Sequence, residues 1–93
     1  MDWMEFIKVQ VVGKKISQYC KNFLQEFIHS ENVRGLTKIK RYENFAIDGG
    51  HAIILFWSTK NIPIPCSEMA KSLIHGLKQF GLVDHNVWVS PIE

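Results

Sequence analysis

The sequence predicts an α+β fold in which strands and helices follow one another as βαββαβ, and three observations carry that reading. An alternating run from Phe6 to Val12 gives way at Gly13 to a helical period. Two β-rich runs then flank the turn-forming Asp48-Gly49-Gly50. A second helical stripe follows Pro63 and Pro65, and the chain closes on a short alternation from Asn86 to Val89.

In the first strand Ile7, Val9 and Val11 share one face, while Phe6, Lys8 and Gln10 share the other. Beyond Gly13 the residues Ile16, Tyr19, Cys20, Phe23, Leu24, Phe27 and Ile28 recur at i, i+3, i+4 and i+7. That spacing predicts an amphipathic helix ending near His29 or Ser30. Gly35 precedes a second strand, Leu36 to Tyr42, with Leu36, Lys38, Lys40 and Tyr42 on one face. Its mixed character suits an edge, where lysines discourage unwanted pairing. The third strand, His51 to Trp57, is apolar on both faces: Ile53, Leu55 and Trp57 on one, Ala52, Ile54 and Phe56 on the other. Such a strand is covered twice.

Ser58 to Pro65 reads as an extended connection, because proline disfavours helical geometry in the residue before it. The second helix then has Ser67 or a neighbour to cap it and Glu68 near its positive end. Its buried stripe is Met69, Ala70, Leu73, Ile74, Leu77 and Phe80, Gly76 is a weakness inside it, and Gly81 stops it. The order βαββαβ is that of a ferredoxin-like fold, a four-stranded antiparallel sheet with two helices on one face. The other face, offering Phe6, Lys8, Gln10, Lys38, Lys40, Tyr42, Trp88 and one apolar set of the third strand, is left without helices. A monomer seldom exposes so aromatic a patch, so the pattern predicts a cover for it.

The chain has 93 residues, of which 46% are hydrophobic, 12% aromatic and 22% charged. A chain of this size forms one domain, residues 1–93, and buries roughly 60–65% of its unfolded surface. A net charge of +2 is too small to suggest a dedicated nucleic-acid binder, which needs a concentrated basic face, and no nucleic-acid partner is expected. Cys20 and Cys66 lie far apart with no Cys-x-x-Cys or Cys/His spacing, so the expectation is two reduced thiols and no metal site. Acidic residues stand where a signal peptide carries basic ones, and no apolar run reaches the ~20 residues of a membrane span. The expectation is a cytoplasmic protein with no membrane partner.

The central stretch also carries a resemblance. Gly35-Leu36, Lys40-Arg41-Tyr42-Glu43-Asn44, Asp48-Gly49-Gly50 and Ile54-Leu55-Phe56-Trp57 together resemble the strand–turn–strand centre of the dimeric α+β barrel superfamily, typified by antibiotic-biosynthesis-type monooxygenases. The match spans residues 35–59, about a quarter of the chain. It implies a homodimer whose uncovered sheet faces meet to form a barrel. It also implies chemistry without a cofactor, in which an electron-rich aromatic substrate loses a proton in an apolar cavity and itself reduces dioxygen. The residues this assigns to ligand binding are Gln10, Tyr42, Trp57 and Trp88 along the cavity, with His51 at its mouth.

Other readings of the fold fare differently. A haem site on the second helix would use His75, yet helical geometry turns His75 about 140° from the buried stripe. An RNA-recognition sheet needs aromatics at spacings that Gly50 to Phe56 lacks. The loop Val12-Gly13-Lys14-Lys15 lacks the arginine and glycines of an acylphosphatase phosphate cradle. His29 and His85 are expected to flank element ends without a paired ligand. A non-catalytic small-ligand-binding or structural dimer module stays open beside the enzyme.

Overall fold

The computed structural model describes residues 1–30 and 33–91. Six elements follow in the expected order: β1 (Asp2–Val11), α1 (Lys14–Ser30), β2 (Leu36–Glu43), β3 (Gly50–Ser58), α2 (Glu68–Leu77) and β4 (Gly81–Val89). The strands form one sheet in the order β2-β3-β1-β4, every neighbouring pair antiparallel. The two central strands thus carry the core. Ile7, Val9, Ile53 and Leu55 meet Cys20 and Leu24 of α1 and Leu73 and Leu77 of α2 in one buried cluster.

Both central strands depart from a uniform pleat of small aliphatics at one end. β1 begins four residues earlier than the alternation from Phe6 suggests, because Trp3 and Glu5 continue its inward face. Trp3 stacks on Trp57 across the β1/β3 pair, with ring centroids 5.4 Å apart and planes 13° from parallel. Its indole N–H donates to Thr59 Oγ1 at 2.8 Å, so the polar tip is satisfied while the ring is buried.

In β2 a bulge between Leu36 and Lys38 moves Leu36 to the helix-covered face, opposite Trp57. The strict alternation that groups Leu36 with Lys38 misses that extra residue. Lys38, Lys40 and Tyr42 keep the uncovered face. β2 ends at Glu43, where Asn44 Oδ1 accepts the N–H groups of Ala46 and Ile47 and starts the loop to β3. Gly49, at φ 83°, closes that loop against β1: Val11 N–H donates to its carbonyl at 2.8 Å, and a Cβ here would collide with the Val11 carbonyl.

The helices differ from the periodic reading in two ways. On α1 the inward line runs through Cys20, Phe23, Leu24 and Phe27, whereas Ile16 and Tyr19 are exposed. α2 ends at Leu77 rather than at Phe80, as Phe80 N–H bonds the Leu77 carbonyl in a tightened last turn. Gly81 is therefore the first residue of β4, packed so closely on Gln10 that a Cβ would meet the Gln10 carbonyl. β4 consequently has nine residues instead of four.

Candidate functional site

The pleat sorts every strand residue to one of two surfaces. Read through the register, the uncovered face carries the rows Lys38–Phe56–Met4–Trp88, Lys40–Ile54–Phe6–Asn86 and Tyr42–Ala52–Lys8–Asp84. Its middle is apolar and its rim charged. Ile54 is buried even without a cover, while Trp88 is 60% exposed. At one end of this face lies a cleft of about 400 Å³ walled by Phe6, Tyr42, Ala52 and Leu82, with Lys8, Gln10 and Asp84 as its polar groups and His51 at its edge. Gln10 Nε2 donates to the Asp48 carbonyl at 2.9 Å. That contact fixes the side chain and leaves its amide oxygen free to accept.

The structure brings Gln10 and Tyr42 to that cleft, leaves His51 only at its border with the imidazole turned to the α1 side, and places the two tryptophans elsewhere. Trp88 lies on the same face but in a separate groove of about 290 Å³, beside Met4 and Phe56. Trp57 points the other way, into the core between sheet and helices. The divergence follows from parity: Trp57 belongs with Ile53 and Leu55, and Tyr42 is opposite Ala52.

What Trp57 does touch is a polar centre that residue patterns did not reveal. Glu5 is fully buried. Its Oε1 accepts the Trp57 indole N–H at 2.9 Å and the Ser67 hydroxyl at 2.5 Å. Its Oε2 accepts the Ser67 backbone N–H at 3.1 Å and lies 2.8 Å from His85 Nε2. Ser67 in turn caps α2 by accepting the Ala70 N–H at 3.0 Å. A carboxylate is an acceptor at both oxygens, and here four donor groups converge on it at the positive end of a helix. His85, expected at an element end without a partner, stands inside β4 and faces Glu5 across the β1/β4 pair. The signal was present as an inward Glu at an alternate position of β1, but it becomes legible only once His85 is known to share that face.

A second cleft, of about 650 Å³, opens where α1 meets the β2–β3 loop. Lys14, Ser17, Gln18 and Lys21 line it from α1, one helical face by their i, i+3, i+4, i+7 spacing. Glu43, Asp48 and His51 line it from the sheet side. His51 is only 3% exposed, and its Nε2 lies 2.9 Å from Ser17 Oγ. Its Nδ1 is buried without a partner, as is one terminal nitrogen of Arg41. Burial holds the His51 imidazole below its ordinary pKa, with the Glu43 carboxylate pulling the other way and Lys21 and Arg41 adding to the depression. His51 is therefore uncharged at neutral pH. Lys21 Nζ holds Glu43 Oε1 at 2.8 Å and, chiefly through that bond, depresses the Glu43 carboxyl.

Both cysteines are free thiols. Burial pushes the Cys20 thiol up to about 11 and also raises Cys66, so neither is poised as a nucleophile. Among the described residues no three His, Cys, Asp or Glu side chains gather to hold a metal ion, and no helix is long and apolar enough to cross a membrane.

No protein-family model matches the sequence, and no curated protein sequence does. The fold, in contrast, has solved counterparts over essentially its full length. A dimeric ferredoxin-like protein from an uncultured marine organism superposes with a TM-score of 0.72 at 14% identity, covering 99% of this chain and 90% of its own. A variant of SnoaB, a cofactor-independent oxygenase from Streptomyces nogalater, gives 0.65 at 9% identity, with 99% and 95% covered. A candidate antibiotic biosynthesis monooxygenase from Bordetella bronchiseptica gives 0.67 at 8%, with 98% of each chain covered. The chain thus shares the ferredoxin-like fold of the antibiotic-biosynthesis-monooxygenase type, at identities that speak for the fold alone.

Proposed function

We propose that the chain works as a homodimer, closed over its uncovered sheet face, that takes up a small aromatic or lipophilic molecule and oxidises it without a cofactor. The observation that carries this reading is the cleft on that face. Aromatic and aliphatic walls from Phe6, Tyr42, Ala52 and Leu82 surround a few polar groups, the composition expected of a small-molecule site. The dimeric description of one structural counterpart and the oxygenase activity of another lend it support.

In this reading Gln10 accepts a hydrogen bond from a phenolic O–H through its free amide oxygen, and Tyr42 stacks beside the ring. Asp84, opposite Lys8 on the same face, is the carboxylate in the cleft able to take the proton, because the His51 imidazole is turned to the α1 side of the sheet. The resulting phenolate gives an electron to dioxygen, the radicals combine at a ring carbon, and the hydroperoxide loses water. The sum is phenol plus O₂ giving quinone plus water. Trp88 contributes to the interface between the two faces, and Trp57 holds β3 in register through Glu5 and Trp3.

The test uses 1-naphthol with protein freed of metals by chelation. The reading expects oxygen uptake matched one to one by 1,4-naphthoquinone, and a loss of roughly a hundredfold or more in rate for Asp84→Asn. Saturable 1-naphthol binding without oxygen uptake would instead favour a non-catalytic ligand-binding or structural dimer. One observation favours that second reading: the space around Trp57 is filled by Trp3, Glu5 and Ser67, with no room there for a substrate.

A further inference from the structure

The cleft beneath α1 combines a hydroxyl, an uncharged imidazole and a carboxylate from three different elements. Ser17 comes from the second turn of α1, His51 from the start of β3 and Glu43 from the end of β2. Glu43 and His51 are direct partners in the β2/β3 register. Side chains so placed on one face have Cβ atoms about 5 Å apart. Ser17 Oγ stands 2.9 Å from His51 Nε2. We propose that Ser17 and His51 form a nucleophile–base pair that cleaves short-chain carboxylic esters in this cleft, with Glu43 as the carboxylate that positions the imidazole and stabilises its charged form.

The geometry supplies each part that acyl transfer requires. With the imidazole proton on Nδ1, Nε2 accepts the Ser17 hydroxyl. Burial keeps the ring in its basic, uncharged form at neutral pH. Lys14 opens α1, whose first-turn N–H groups have no partner within the helix, and Gly13 and Lys14 line the same cleft. Those N–H groups are the donors for a developing oxyanion. Glu43 is held 2.8 Å from Lys21 rather than at Nδ1, which explains why Nδ1 is left without a partner. A shift of one side chain on the rim completes the set. The charge of the cleft selects the substrate class. Lys14 and Lys21 are offset by Glu43 and Asp48, so the positive excess that a phosphate ester requires is missing, and a neutral ester fits.

In the first step Ser17 Oγ bonds to the ester carbonyl carbon, its proton passes to His51 Nε2, and the carbonyl electron pair moves onto oxygen. Collapse of that adduct breaks the ester C–O bond, and the alcohol departs with the proton from Nε2. Water then attacks the acyl–Ser17 bond in the same way, releasing the carboxylic acid and restoring the hydroxyl. This chemistry uses the helix-covered side of the sheet and shares no catalytic side chain with the oxidation proposed above, so Ser17→Ala separates the two.

The experiment follows p-nitrophenyl acetate with the intact chain and locates the acetyl group by peptide mass spectrometry. The proposal expects a burst of p-nitrophenolate, acetyl on Ser17, and a loss of about a hundredfold or more in Ser17→Ala. Ser17→Cys keeps the burst. Glu43→Gln lowers the pH at which the rate rises, since removing that carboxylate depresses the His51 imidazole further. Acetylation confined to lysines, a Ser17→Ala rate equal to wild type, or a pH profile indifferent to Glu43→Gln would each overturn it.

Discussion

Nε2 of His85 lies 2.8 Å from Oε2 of Glu5, which joins the two longest-separated strands of the chain through a carboxylate with no exposure to water. The same carboxylate takes hydrogen bonds from Trp57 on β3 and from Ser67 at the start of α2. One side chain therefore ties β1, β3, β4 and α2 together.

Removing it leaves several buried donors unpaired at once. Glu5→Leu is expected to cost about 3–5 kcal/mol, the range for breaking a buried charged cluster from one side. Trp57→Phe removes a single donor and keeps the ring stack on Trp3, so its cost is expected nearer 1–2 kcal/mol. Urea unfolding of the two variants measures both. Equal losses would show that the Trp57 bond alone accounts for what the carboxylate contributes.

Gly76 illustrates a substitution whose sign is set by packing. In an exposed helix interior Gly→Ala stabilises by about 1 kcal/mol. Here a Cβ would run into the Phe23 ring and stand 2.9 Å from its Cε1. Phe23 is wedged between Phe27 and Phe80, with centroids 6.1 and 5.6 Å away, and has little space to yield. Gly76→Ala is expected to destabilise by about 1–2 kcal/mol, as overpacked cores do. A rise in melting temperature would contradict this.

The buried His51 gives the fold a pH dependence of defined sign. Its folded pKa is depressed below the ordinary value of 6.5. As pH falls below about 6.5 the unfolded chain takes up a proton that the folded chain refuses, so stability declines until the folded pKa is passed. The Glu43 carboxyl, depressed below 4.5, contributes stability above that value that is lost as pH falls further. Denaturation midpoints between pH 5 and 7 should fall with pH in the wild type and change less in His51→Gln. Parallel slopes in the two proteins would refute the assignment.

The order and sheet sidedness of this fold were readable because they rest on periodicity: Ile7, Val9 and Val11 alternate, and Leu24, Phe27 and Ile28 repeat as a helix does. The doubly apolar third strand was readable for the same reason. Polar residues that satisfy one another were not. Asp84-His85 looks like a loop until Glu5 supplies an inward partner for His85, so the alternation alone gives a short β4. The bulge that turns Leu36 inward leaves no trace in spacing. Of the five residues expected around a ligand, Gln10, Tyr42 and Trp88 share a face by parity, whereas His51 and Trp57 are both opposite in parity to Tyr42 across the β2/β3 pair and so turn their side chains to the helix-covered side.

The face bearing Met4, Phe6, Ile54, Phe56 and Trp88 has no helix over it, and the proposed function rests on a second chain closing it. Light scattering on the eluting peak of a size-exclusion column measures this directly. The account predicts twice the mass of one chain at micromolar concentration, and the mass of one chain for Phe56→Lys with its far-ultraviolet spectrum retained. A wild-type protein that runs with the mass of a single chain at that concentration would contradict it.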